Sequence, residues 1–589
     1  MRSILSRTGW AGLATFFSAA VMTAGLSFTT TPAQAAFELP EGERITNLPA
    51  IPRAMPQKEA YELYDPAIGR NFDIKNFWMR ADVRVRPEMR NNVCFGSPMA
   101  GGSTSSGASG TIAAGSGNGA CNTANNTTSP SNAKNQPNGR ANDFFVQQWV
   151  RLGIGYDLSP DVNFYMEIID AATWGGNGNA SNAGNGGDPL NHNGGVVGGG
   201  GNNGRLGVRA AYMLIRNLAG VQGLSIKAGR QYVIFGNHSM FGHFDWANTG
   251  YSHDGIMLQY STKALESYFG WFRNSETDIG QAAPVGSGQN NLSTPSGINN
   301  GTANKDADMF IFYNQIKSVP GFLIEPYYIL YSNRLDSADN RAQGLGTAKH
   351  SNQTRHNIGN RIEMRKGNFD AINETVWQFG QMGDSSEGSA TAGANAIQNA
   401  YGNQKNLHIN AWAMRNWIGY THYQSAWKPR LAFNLDYASG DGRANCNVVS
   451  NGGACKTANT FENMFPTNHI HMGYMDVQAW KNMLSPSANL QFRPSAMDHF
   501  EVWYTNLNLA NARDNWYRGS QGVYVWSKIG NQKKHIGDEL DFTWTHMFAD
   551  GRVAFQATYG HLWAGGYIQE NLGTSNSQQW AYAQLWMNF

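Results

Sequence analysis

Between Phe77 and Glu88 the chain reads FWMRADVRVRPE. Side chains of an extended strand alternate between its two faces, so Arg80, Asp82, Arg84, Arg86 and Glu88 share one face, and Phe77, Met79, Ala81, Val83 and Val85 share the other. The same alternation downstream places Arg151, Arg209, Arg361, Arg365, Arg430 and Arg493 on polar faces. It places Glu167, Glu363, Glu374, Asp436, Glu501, Glu539 and Asp541 there as well. Guanidinium forks hold carboxylates in two-point fashion, so a wet surface lined this way can handle anionic or hydroxylated solutes. With Asp82 and Glu88 counted, nine cations face nine anions, a balance that suits neutral sugars or small zwitterions, while the clustering of arginines predicts mild anion preference and not strong selection of a polyanion. Arg80, Arg84 and Arg86 on one strand, and Arg361 with Arg365 on another, would form the cationic patches. The alternative is that these charges pair across neighbouring strands and stiffen the wall.

Other chemistry finds less support. Ser252-His253-Asp254 has the residue types of a nucleophilic relay, but neighbours in a strand point to opposite faces, so the three cannot act together. His238, His243, His253, His469 and His471 fall near expected loops, where a solvated or hydrogen-bonded imidazole is the plain reading; no third ligand accompanies His469 and His471. Cys94 with Cys121, and Cys446 with Cys455, form two sequence-local pairs without C-x-x-C spacing, and in an exported chain they read as loop disulfides. No enzyme, cofactor or metal site is expected. A formal net charge of +2 and the lack of Lys/Arg runs argue against nucleic acid.

The elements that must position these residues follow from the rest of the chain. Residues 1–35 read as a secretory leader, with Arg2 and Arg7, an uncharged stretch from Gly9 to Phe28 and Ala33-Gln34-Ala35 for cleavage; an uncleaved anchor is the alternative. After it, no window reaches the roughly 20 apolar residues of a spanning helix, and mean hydropathy is -0.45. Yet charged residues make up only 15%, aromatics 12%, and 68 of 589 residues are Gly, a composition of short strands, long loops and aromatic belts.

Strands are predicted at 77–88, 144–158, 162–173, 205–217, 224–231, 253–261, 267–274, 308–317 and 322–332. Nine more follow at 354–365, 369–380, 406–420, 428–439, 486–494, 497–507, 535–547, 552–563 and 577–589. Short links such as Ser159-Pro160-Asp161 and Lys366-Gly367-Asn368 alternate with Gly/Asn/Ser-rich stretches at 95–142, 175–204, 275–307, 334–353, 384–405 and 440–485. Such alternation fits an all-β transmembrane antiparallel up-and-down barrel of about eighteen strands over 77–589. Its short turns would be periplasmic and its long loops external, as in the outer membrane of a Gram-negative cell. The last strand, AYAQLWMNF, should pair with the first, because a bilayer tolerates no open edge. Its terminal Phe589 resembles the signal read by barrel-assembly machinery. Residues 36–76, with Pro40, Pro49, Pro52, Pro56 and Pro66, read as an extended periplasmic or lumenal segment. Trp149, Trp412, Trp417, Trp503, Trp544, Trp563 and Trp580 read as interface girdle.

Several stretches, in order, resemble the alginate export family of outer-membrane porins. GRQYVIFGNHSMFGHFDWANTGYSHDGIML at 229–258 contains Gly229, Arg230, Gln231, Asp245, Trp246, His253, Asp254 and Gly255 at family-like positions. YASGD at 437–441, FPTNHIHMGYMD at 465–476, LANARDNWY at 509–517 and IGDELDFTW at 536–544 continue the series. The resemblance implies a channel for passive passage of hydrophilic solutes, with an anionic polysaccharide such as alginate as one class. A general sugar or small-solute porin, and a structural or plugged barrel, are the alternatives. Where the family's polymer exporter carries a long periplasmic turn, this chain has only Ser318 to Gly321.

Overall fold

The computed structural model describes residues 76–92, 95, 143–174, 206–246, 250–275, 307–333, 353–382, 407–442, 457–467, 469, 471–517, 519, 523–525, 527, 530–548 and 551–588. The expected leader, segment 36–75, Cys94, Cys121, Cys446, Cys455, loop 175–204 and Phe589 lie outside the described residues.

Alternating segments became strands throughout. In chain order they are β1 (Phe77–Asn91), β2 (Asp143–Ser159), β3 (Val162–Thr173), β4 (Leu206–Ile215), β5 (Leu224–Gln231), β6 (His253–Ser261) and β7 (Leu265–Ser275). Next come β8 (Ala307–Ile316), β9 (Phe322–Asn333), β10 (Gln353–Lys366), β11 (Phe369–Met382), β12 (Leu407–Thr421), β13 (Arg430–Ala438) and β14 (Thr457–Ala458). The chain ends with β15 (Met483–Phe492), β16 (Asp498–Leu509), β17 (Trp516–Tyr517), β18 (Val523–Val525), β19 (His535–Phe548), β20 (Val553–Ala564), helix α1 (Gly566–Leu572) and β21 (Gln578–Asn588).

Eighteen of these strands form a closed antiparallel barrel, each paired to its neighbours along the chain. Closure is by β21 against β1, in the register Val83↔Met587, Val85↔Leu585 and Glu88↔Tyr582. Every predicted strand is present. The two-residue β14 lies parallel to the start of β12, and β17 with β18 forms a separate small ribbon. Two predicted ends were too long for physical reasons. The strand at 205–217 stops at Ile215, because Asn217 and Ala219 adopt left-handed backbone angles in a tight turn. The strand at 486–494 stops at Phe492, because Pro494 has no N–H for the ladder.

The wall is inverted relative to a water-soluble sandwich. Phe144, Phe269, Phe312, Phe433 and Leu585 are exposed on the outside, while Arg84, Arg86, Arg151, Arg209 and Arg361 are buried inside. Lipid as the outer solvent accounts for that pattern. On the inner face Tyr327 lies flat on Gly359, where an added Cβ would stand 2.1 Å from its ring. The girdle reading needs correction for four tryptophans. Trp544 and Trp563 are exposed, whereas Trp149, Trp417, Trp503 and Trp580 are buried on the inner face, where strand parity places them beside the charged residues.

Candidate functional site: a crossbar in the lumen

Two of the long connections leave the rim and turn inward. Residues 232–252 join β5 to β6, and residues 439–482, described over 439–442 and most of 457–482, join β13 to β15. The first crosses the barrel. At one end, Ser239 Oγ accepts a bond from Arg415 of β12 at 2.9 Å, and Gly236, left-handed at φ 54°, lies so close to Arg361 that a Cβ would stand 2.8 Å from its Cδ. At the other end, the Asp245 carboxylate meets Arg151 of β2 at 3.0 Å and Arg209 of β4 at 3.2 Å. The carbonyls of Asp245 and Trp246 accept from Arg84 and Arg86 of β1 at 2.6 and 2.8 Å. Around the closed ring, nine strands separate β2 from β12 one way and seven the other. The seven residues from Ser239 to Asp245, whose six steps reach about 20 Å when extended, therefore form a bar between opposite sides.

The second loop lies against the first. Phe465 pairs with Phe241, with Gly242 N–H donating to Phe465 O at 2.8 Å and Phe465 N–H to Met240 O at 3.0 Å. Met240, Phe461 and Met464 bury with them in one apolar cluster. Arg86 lies 3.5 Å over the Trp246 indole, and the His469 ring stacks on Trp246 at 3.6 Å, with Trp580 and Tyr582 of β21 edge-on. His471 donates to Asn237 O at 2.6 Å. Further along, Tyr474 N–H donates to Asp541 at 3.1 Å, Met475 N–H to Glu539 at 3.0 Å and Tyr474 O–H to Glu501 at 2.8 Å. Gly473, at φ 85°, lets the turn approach Glu539 so closely that a Cβ would stand 2.1 Å from its Oε1.

The predicted lining residues fall into three groups. Arg84, Arg86, Arg151 and Arg209 form a cationic arc on β1, β2 and β4; Glu501, Glu539 and Asp541 form an acidic arc on β16 and β19, with β20 and β21 between. Within the cationic arc, Arg151 also meets Asp82 at 3.5 Å and Glu167 at 3.9 Å, and Arg86 meets Glu88 at 3.6 Å; the other residues pair locally as well. Arg361 bridges Glu325 and Glu363, Arg365 meets Glu363 at 3.1 Å, Arg415 meets Asp436 at 2.8 Å, Arg430 meets Asp370 at 2.6 Å, and Arg80 meets Asp82 at 2.8 Å. Glu374 accepts the Tyr327 hydroxyl at 2.9 Å. Arg493, one residue past the end of β15, is exposed in the short turn before β16, with its N–H donating to Trp427 O at 2.8 Å. Ser252, His253 and Asp254 point apart as expected, Ser252 to Arg209, His253 among Phe241, Phe272 and Phe465, and Asp254 outward to Arg230.

Burial would raise the Asp245 carboxyl, but Arg151, His243 and Arg209 hold it below the usual carboxylate range. His469 is shifted the other way from what its neighbour favours: burial lowers it, although Asp476 at 2.8 Å opposes the shift. At the level of the crossbar the arginines are 0–2% exposed, so no water-filled gap reaches them. Nearer the short-turn end, the Arg80 and Arg365 side chains are 14% and 17% exposed, and there the lumen admits water.

A family model described as alginate export matches residues 200–582. The chain belongs to the alginate export family. No curated protein matches it. Among solved structures, Pseudomonas aeruginosa OccK9 (OpdG) has a TM-score of 0.47 at 9% identity, covering 88% of this chain and 99% of that one. OccK10 (OpdN) from the same organism has a TM-score of 0.45 at 8% identity, covering 87% and 99%. Its OccK2 (OpdF), in complex with glucuronate, has a TM-score of 0.42 at 10% identity, covering 87% and 98%. This alginate export family member is an outer-membrane channel for hydrophilic solutes in a Gram-negative cell.

Alternation marks residues of the wall, and the residues of both arcs carry it. It carries no information about a chain that leaves the wall, so Ser239, the Asp245-Trp246 pair and the Tyr474-Met475 turn had no periodic signal. All of them fell only within the family-like stretches at 229–258 and 465–476.

Proposed function

We propose that this alginate export family barrel passes small acidic sugars, with mild anion preference, and does not select long polyanions. The observation that carries the reading is the seat of Asp245: a carboxylate lies between Arg151 and Arg209, with Arg84 on the adjoining carbonyl. Fork-shaped donors arranged this way suit any carboxylate of similar size. The neighbouring acidic arc of Glu501, Glu539 and Asp541 accepts hydrogen bonds from N–H and O–H groups, which sugar hydroxyls can supply equally well. A long polyuronate would bring its charges against that arc and be repelled. Among the described residues, no nucleophile stands with a base and an orienting partner in the lumen.

Two further readings concern the ends of the chain. Residues 1–35 direct export, and the last strand, ending at Phe589, hands the barrel to the outer-membrane assembly machinery.

The test is osmotic swelling of liposomes containing the full refolded chain, in glucuronate, glucose and polyuronate of matched osmolarity. Entry of glucuronate ahead of glucose, with polyuronate excluded, supports the reading. Equal entry of glucuronate and glucose overturns the anion preference, and ready entry of polyuronate overturns the size limit.

A further inference from the structure

The bound loops present to the wall what an acidic sugar would present. Facing the arginines of β1, β2 and β4 are acceptors: the Asp245 carboxylate and the carbonyls of Asp245 and Trp246. Facing the carboxylates of β16 and β19 are donors: the Tyr474 and Met475 amides and the Tyr474 hydroxyl. The two loops hold each other through the Phe241–Phe465 bridge, the Thr467 N–H on His238 O at 3.0 Å and the Trp246–His469 stack, so one cannot leave its wall without dragging on the other. Because the arginines have no water-filled gap beside them, a solute and the crossbar cannot both occupy the arc.

We infer that the crossbar is a built-in competitor for the solute: an acidic sugar opens the channel by placing its carboxylate where Asp245 sits and its hydroxyls where the Tyr474 and Met475 amides sit. The inference rests on the proposed solute class and adds how that solute gains entry. Exchange of one carboxylate for another leaves Arg151 and Arg209 paired throughout, which avoids the cost of a buried unpaired guanidinium. Displacement at both arcs explains why neither half of the solute would suffice. A plain carboxylate leaves the acidic arc to the loop, and a neutral sugar leaves the arginines to Asp245.

Single-channel recording of the full chain in planar bilayers, with glucuronate, glucose or acetate added at equal millimolar concentration, tests the exchange. Open probability of the wild type should rise about tenfold or more with glucuronate and little with glucose or acetate. Asp245→Asn should be open without any solute and gain nothing further from glucuronate. Ser239→Ala loosens the far end of the bar without touching the arginine arc, so it should raise the basal open probability yet keep the glucuronate response; it also serves if Asp245→Asn fails to fold. Closed behaviour of both variants, equal to wild type, overturns the inference. Wild-type liposomes that pass glucuronate with no change in open probability also overturn it and leave the solute class standing, whereas a wild type opened equally by all three probes overturns both.

Discussion

Arg151 and Arg415 stand on opposite sides of the barrel and hold the same loop, Arg151 at Asp245 and Arg415 at Ser239. The two anchors are unequal. Arg151 holds the loop through a buried carboxylate at 3.0 Å, whereas Arg415 holds it through one bond to a hydroxyl; both also have wall carboxylates, Asp82 at 3.5 Å for Arg151 and Asp436 at 2.8 Å for Arg415. Removing one partner of a buried pair costs about 3–5 kcal/mol, against about 1 kcal/mol for an ordinary hydrogen bond. Asp245→Ala should therefore release the loop and Ser239→Ala should only loosen it. Limited proteolysis of the folded barrel reads this directly: rapid cutting within 232–252 in Asp245→Ala, slow cutting in Ser239→Ala, and protection in the wild type.

Docking should weaken in two acid steps. For His469 the docked imidazole is held below its ordinary value by burial, against Asp476 and Glu88 and with Arg86 adding to the shift. Docking therefore has its full contribution above about 6.5 and loses it as pH falls through the lowered docked value. For Asp245 the docked carboxyl is depressed by Arg151, His243 and Arg209. Its contribution is complete above about 3.9 and is lost only below that. His469→Phe keeps a ring on Trp246 but removes the first step. Conductance against pH should rise in two stages in the wild type and in the lower stage alone in the variant; a single stage at neutral pH in both would contradict the assignment.

Gly359 is a wall position where shape, not charge, decides. A Cβ there would stand 2.1 Å from the Tyr327 ring, whose hydroxyl holds Glu374. Gly359→Val should destabilise the barrel by about 1–3 kcal/mol through overpacking. The urea midpoint should fall, while anion preference, which depends on β1, β2 and β4, should stay as it was.

The barrel was legible because a strand between lipid and water must alternate, and FWMRADVRVRPE shows the rule in its plainest form. Both charged arcs were readable for the same reason. Alternation runs one residue past Phe492 to Arg493, after which Pro494, with no N–H, ends the ladder. Trp149 and Trp580 have the residue type of a membrane girdle, but their parity puts them beside Arg151 and Trp246. The crossbar itself was hidden for a deeper reason. Its fold is dictated by contacts made far apart in sequence, such as Phe241 with Phe465, and a loop rich in Gly and aromatics reads the same whether it faces outward or in.

The most direct test of the account is the reversal potential of the reconstituted Asp245→Asn channel in a salt gradient. With the crossbar released, the four arginines of β1, β2 and β4 face the lumen on one side and Glu501, Glu539 and Asp541 on the other, so the account predicts steady conductance with mild anion selectivity. A cation-selective open channel, or a variant as silent as a sealed bilayer, would contradict it.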